Sequence, residues 1–168
     1  LVFLDESGCN TDMTRRYAYS LGGSRAVDAA PLSKPKNTTI LSSIQRDGAL
    51  HYTTFSGGTT VEKFKTYLEN DLLPYLNSDS VLIMDNMKSH HSKAVKELLN
   101  KAGVQYIYLP PYSPDLNPIE KLWSKVKALL RKFKARTLDA LPNAIQNAFH
   151  SVTVSDCSGW FRFCGYAL

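Results

Sequence analysis

The stretch VLIMDNMKSHHSKAVKELLNKAGVQYIYL, residues 81–109, decides the fold. It opens with four wholly apolar residues, Val81, Leu82, Ile83 and Met84, as a strand covered on both faces requires. The period then changes. Ala94, Val95, Leu98, Leu99 and Ala102 recur at helical spacing, and Gly103 stands where a C′ glycine ends a helix. Residues 104–109 read as a second strand. Strand, helix and strand in succession predict a βαβ unit: two parallel strands joined by a right-handed crossover.

Upstream of this unit the chain reads as β. Residues 1–4 are an apolar run. Residues 17–21 alternate and stop at Gly22-Gly23. Residues 38–45 are rich in Thr, Ile and Ser, and Asp47-Gly48 is a turn signal before a further run at 50–55. Pro31 to Lys36 is a loop. Thr59 or Thr60 caps a helix marked by Val61, Phe64, Leu68 and Leu72, which Pro74 ends. Downstream come a proline-rich loop at 110–114, a long amphipathic helix at 118–134 and a shorter one at 138–149. A last segment, holding Trp160, Phe161, Phe163 and Tyr166, is a helix or hairpin packed on the body. The predicted order is βββ(β)αβαβαα. It describes an α/β domain with a mixed sheet and helices on both faces, the order of the ribonuclease H-like fold, in a single unit over residues 1–168.

Composition agrees with one globular domain: 168 residues, 43% hydrophobic and 21% charged. No apolar run approaches the roughly 18 residues of a membrane span, so no membrane association is expected. The chain opens inside a strand-like run with no initiator Met, and Asp5 interrupts what would be a signal core, so it is expected to be a piece of a longer protein without a secretory signal. Three cysteines without a CxxC pair read as free thiols in a reducing compartment rather than zinc ligands. The net charge of +5 favours an acidic partner such as nucleic acid.

Three acids stand at comparable addresses. Asp5 ends the first apolar run, Asp85 ends the run 81–84, and Glu120 lies in the first turn of the long helix. Functional groups of open α/β sheets gather at the carboxyl ends of strands. Two carboxylates brought together there repel unless cations neutralise them, and hard divalent cations with oxygen ligands do that. Each acid also has a bland reading: Asp5 and Asp85 as turn starters, and Glu120 as the third helical residue of a capping box begun by Asn117 and Pro118. On the helical wheel Ile119, Leu122, Trp123, Val126, Leu129, Leu130 and Phe133 fill the buried arc. Glu120 lies beside that arc and heads a stripe of Ser124, Lys127, Arg131 and Lys134. The stripe suits a phosphate backbone, or is an ordinary solvated face. Asn86 and His90 are secondary candidates, either for orienting Asp85 and meeting substrate or for capping the next helix. Arg15, Arg16, Lys34 and Lys36 touch DNA or are solvated surface.

Three segments carry a family resemblance: Val2-Phe3-Leu4-Asp5-Glu6-Ser7; Met84-Asp85-Asn86 with His90 four residues after Asn86; and Leu109-Pro110-Pro111-Tyr112-Ser113-Pro114-Asp115-Leu116-Asn117-Pro118-Ile119-Glu120-Lys121-Leu122-Trp123. They resemble the mariner-like transposases and their bacterial insertion-sequence relatives, DDE-type enzymes with a ribonuclease H-like catalytic domain. The resemblance implies that Asp5, Asp85 and Glu120 are the metal-binding triad, holding two Mg²⁺ ions with Mn²⁺ able to substitute. It implies hydrolysis of phosphodiester bonds at transposon ends and joining of the freed 3′-hydroxyls to target DNA, by a homodimer on paired ends. It also implies upstream helix-turn-helix modules outside residues 1–168, and a cytoplasmic, nucleoid-associated site of action in a bacterial host. Two rival readings remain: another ribonuclease H-like nuclease, or a non-catalytic DNA-binding remnant of a transposase.

Overall fold

The structure is a computed structural model that describes residues 1–15, 17–29, 31 and 35–166. Among the described residues, five strands form one mixed sheet: β1 (Val2–Cys9), β2 (Thr38–Gln45), β3 (Leu50–Ser56), β4 (Val81–Met84) and β5 (Gln105–Tyr108). The α-helices among these residues are α1 (Val61–Tyr67), α2 (Lys93–Lys101), α3 (Ile119–Phe133), α4 (Ala140–His150) and α5 (Val154–Phe163). The strand order is β3-β2-β1-β4-β5. β1, β2 and β3 pair antiparallel, while β4 joins β1 in parallel and β5 joins β4 in parallel. This is the ribonuclease H-like arrangement expected from the order of elements, with the βαβ unit forming one flank.

Alternation along the strands divides the core into two layers. Phe3, Ile40, Ile44 and Ile83 point to one face, where Ile119, Leu122, Trp123, Val126 and Leu130 of α3 pack with Leu141, Ile145 and Phe149 of α4 and Phe161 of α5. Val2, Leu4, Leu41, Leu82 and Met84 point to the other, against Phe64 and Tyr67 of α1 and Val95 and Leu99 of α2. Helices therefore cover both faces. Thr60 caps α1 by accepting the Lys63 N–H, and α1 is followed by a π-turn (Leu68–Leu72) and a 3₁₀ turn (Leu73–Tyr75) that contains Pro74 and ends at Leu76, two residues beyond the proline. Gly103, at φ +68°, follows the end of α2 as the sequence predicts.

Several expectations are corrected. Residues 17–21 form no strand: Tyr17, Tyr19 and Leu21 are 87% exposed or more. The reason is burial. Alternation makes a strand where one face packs on a core, and here all three large side chains stay in solvent, while β1 is paired on both sides, by β2 and by β4. Of the two forms read for the last segment, helix or hairpin, the structure has the helix, α5, begun by a capping box between Thr153 and Asp156. Phe133, placed on the buried arc of α3 by the wheel, is 42% exposed because the helix ends there.

Candidate active site

The parallel register places the first two acids. Val2, Phe3 and Leu4 lie opposite Leu82, Ile83 and Met84. Asp5 and Asp85 each follow the last of these pairs, so they stand side by side on neighbouring strands, whose spacing is about 4.8 Å. The proline-rich loop then returns the chain over this end of the sheet. Leu109 N–H donates to Met84 O at 2.8 Å, and α3 starts beside β1. Asp5, Asp85, Asn86 and Glu120 line one cavity of about 450 Å³, walled by Leu109 to Pro114 and by Asn117.

Glu120 does not cap its helix. Asn117 N–H donates to Pro114 O, and Glu120 N–H donates to the Asn117 backbone carbonyl rather than to its side chain. The N-cap position falls on Pro118, which makes no side-chain cap bond. The capping box read from the sequence is absent because residues 114–116 form a 3₁₀ turn that already engages the Asn117 amide. Glu120 is exposed, with its side chain on the cavity.

Neighbours hold the two strand-end acids differently. Asp5 Oδ1 accepts the Glu6 N–H at 2.8 Å, and Asp5 Oδ2 accepts the Trp123 indole N–H at 3.1 Å. Burial is the largest cause that pushes the Asp5 carboxyl up to about 7; the two donors act against it, and the nearby Asp85 and Glu6 charges add to the rise. For Asp85 burial acts upward, but the His90 imidazole and the Met87 N–H outweigh it and hold the carboxyl below its ordinary value.

His90 is fully buried. Its Nδ1 lies 2.8 Å from Asp85 Oδ1 and its Nε2 3.1 Å from Glu6 Oε1. Burial would lower its pKa, but the two carboxylates raise it to about 9, so the ring is an imidazolium donating to both. Glu6, Asp85 and His90 also offer ligand atoms within 4.8 Å of one another. With both ring nitrogens directed at carboxylate oxygens, that cluster is a hydrogen-bonded ion triad rather than a ligand set. Neither Asn86 nor His90 caps α2, because Ser92 does, by accepting the Val95 N–H. Asn86 ties the strand ends together instead: its Nδ2 donates to the Leu109 carbonyl and its Oδ1 meets His91 Nε2 at 3.0 Å.

Trp123 read as core in the sequence. It is core, packing edge-on to Phe149 at 6.4 Å, and it is also a donor to Asp5. Glu6 carried no signal beyond its place next to Asp5. Tyr112 lines the cavity mouth fully exposed, with φ +58°. A left-handed backbone costs a non-glycine residue about 1–2 kcal/mol.

Of the basic stripe, Lys127 and Arg131 lie half-buried on α3. Arg131 shares a groove with Arg15, Tyr17, Leu129 and Lys132. Lys134 leaves the stripe: it is the left-handed C-cap of α3, and its ammonium holds both oxygens of Asp28 at 2.6 and 2.7 Å. Lys36 is exposed, while Arg16 and Lys34 lie outside the described residues. The three cysteines are free and buried.

The family model for the DDE superfamily endonuclease matches residues 1–142. The chain belongs to this family. Among curated relatives of this DDE endonuclease domain, it is 31% identical over 96 residues to the Tcb2 transposase of Caenorhabditis briggsae, covering 55% of this chain and 35% of that protein. It is 32% identical over 92 residues to the Tc1 transposase of Caenorhabditis elegans, covering 55% and 34%. The chain thus matches about a third of the length of these relatives. Among solved structures, the Mos1 mariner paired-end complex with Mn superposes with a TM-score of 0.79 at 20% identity, covering 96% of this chain and 51% of that one. That likeness shows the shared fold.

Proposed function

We propose that this domain is the catalytic part of a mariner-type DNA transposase, in which Asp5, Asp85 and Glu120 hold divalent cations. The observation that carries the reading is the convergence of these three carboxylates, from two neighbouring strand ends and one helix start, on a single cavity. The donor set fits: three hard oxygen ligands in a partly open site suit Mg²⁺, with Mn²⁺ able to substitute, and two ions fit the chemistry best. Bound cations would stabilise the attacking and leaving oxygens of an in-line phosphoryl displacement. The protein's own groups supply placement. Trp123 and the Glu6 amide fix Asp5, and His90 and the Met87 amide fix Asp85. The segment from Leu109 to Pro114 walls one side of the cavity in which the phosphate would sit.

The substrates under this reading are transposon-end DNA and then target DNA, engaged by a homodimer at the nucleoid of a bacterial cell. Recognition of end sequences is assigned to segments outside residues 1–168. Another ribonuclease H-like nuclease is not favoured, since the curated relatives reported above are transposases. The test is strand cleavage with Mg²⁺ on DNA carrying the element's own ends. Nicking at those ends that EDTA abolishes is expected. A folded chain that cuts neither in Mg²⁺ nor in Mn²⁺ would count against the reading.

Proton–metal competition at Asp5 gives a second measurement. Burial pushes the Asp5 carboxyl up from its ordinary 3.8 to about 7. The folded protein therefore binds the extra proton, and stability falls as pH rises between those values. A cation takes the proton's place above that window. Thermal stabilisation by Mg²⁺ over EDTA should be small near about pH 5.5 and grow through about pH 7. A gain that is flat across this range would remove Asp5 from the ligand set.

The stripe predicts contact with phosphates. Lys127→Ala combined with Arg131→Ala should weaken binding about equally on related and unrelated duplexes, and lower the salt slope by up to about two units. The helix should persist, because alanine is a good helix former. Coinciding slopes and affinities for parent and variant would leave the stripe a solvated face.

A further inference from the structure

We propose that Glu6 and His90 are positioning residues that decide which oxygen of Asp85 faces the metal, an inference that rests on the metal-centre reading above. Strand alternation sends Asp5 and Glu6 to opposite faces of β1. Asp5 turns toward α3, and Glu6 turns toward α1 and α2, where its side chain is 8% exposed and Oε2 has no partner. Oε1 meets His90 Nε2 at 3.1 Å. The opposite edge of that ring meets Asp85 Oδ1 at 2.8 Å.

The ring itself cannot swing. It is 0% exposed, and the Phe64 ring stacks on it at 4.2 Å and 28°. Its backbone is tied on both sides: the His90 N–H donates to Met87 O at 3.0 Å, and the Tyr108 hydroxyl donates to His90 O at 3.0 Å. Asp85 Oδ1 also accepts the Met87 N–H at 3.0 Å. One oxygen of Asp85 is thus held by two donors from the protein side. The carboxylate is 42% exposed, so the other oxygen opens toward the cavity that Asp5 and Glu120 share. Glu6 anchors the far side of the imidazole and so sets the angle from which Asp85 is gripped. Groups that orient a metal ligand in this way typically contribute 10–100-fold in metal affinity when removed.

Two variants test the clamp with Mn²⁺ alone as the probe, followed by electron paramagnetic resonance. His90→Gln should weaken Mn²⁺ binding by roughly 10–100-fold. Glu6→Gln, which keeps the shape and an acceptor oxygen, should weaken it by less, with its unfolding transition in EDTA intact. Should His90→Gln fail to fold, Glu6→Gln carries the test. Electron spin-echo modulation of the Mn²⁺-loaded parent should show no directly bound nitrogen. A bound imidazole nitrogen would make His90 a ligand and overturn the clamp. So would parent-like affinity in the folded variants, and that outcome leaves the metal centre standing. A parent chain that binds no Mn²⁺ would instead remove the metal-centre reading, and the clamp with it.

Discussion

Asp85→Asn is expected to lower Mg²⁺-dependent strand cleavage by about a thousandfold or more, without lowering DNA affinity. The side chain keeps its shape, and an amide oxygen can still accept from His90 and from the Met87 N–H, the two donors that Asp85 Oδ1 has now. What disappears is one negative charge facing the cavity. A carboxylate that holds a catalytic cation contributes several kcal/mol of transition-state stabilisation, and each 1.36 kcal/mol is a factor of ten in rate, so a loss of about three decades is the scale to expect. Binding should move the other way if at all, because a carboxylate beside a phosphate repels it. The check is a single-turnover cleavage assay run beside a binding titration, with unfolding in EDTA as the control for fold. Cleavage within a few-fold of the parent in Mg²⁺ would strip Asp85 of its role. A parallel fall in DNA affinity would mean that Asp85 acts on binding rather than on chemistry.

What the sequence made legible follows from the range of the signal. Residues 81–109 announce a βαβ unit because hydrophobic period and a C′ glycine are local, and β4, α2 and β5 appear where that period puts them. Asp5 and Asp85 were visible as acids ending apolar runs. Their proximity needed only that the two strands be neighbours, and the register Leu4–Met84 makes them so. Glu120 was harder. Local chemistry favoured a capping box, and only the 3₁₀ turn at Pro114–Leu116, which engages the Asn117 amide, releases the acid from that duty. The segment at 17–21 has the alternation of a strand, but alternation says nothing about whether a core is there to bury one face, and Tyr17, Tyr19 and Leu21 all stay in solvent. Lys134 fits the stripe by helical arithmetic, yet the helix stops one residue earlier. The Glu6–His90 contact spans 84 positions and the Trp123–Asp5 contact 118. No periodicity reaches so far, which is why Trp123 read only as core.

Trp123 therefore carries two duties that substitution can separate. Trp123→Ala should cost about 3–5 kcal/mol, the usual range for truncating a buried aromatic. The side chain is 3% exposed and packs among Leu122, Val126 and Phe149 in the layer that anchors α3 to β1. Against a typical total of about 5–15 kcal/mol that is a large fraction, and much of the chain should unfold at moderate temperature. Trp123→Phe keeps most of the apolar contact and removes the indole N–H, so Asp5 Oδ2 loses its donor. Burial is what raises the Asp5 carboxyl to about 7, and the indole is one of the two groups that restrain it. Without that restraint the carboxyl holds its proton to higher pH. A cation that must displace the proton then binds more weakly at about pH 6.5 than in the parent, and recovers as pH rises toward about 8.5. The decisive measurement is Mg²⁺ affinity against pH for the parent and Trp123→Phe: the curve of the variant should be displaced to higher pH, with a similar plateau. Superimposable curves, in a variant whose unfolding is near that of the parent, would reduce Trp123 to a packing residue and leave Asp5 positioned by β1 and the Glu6 amide alone.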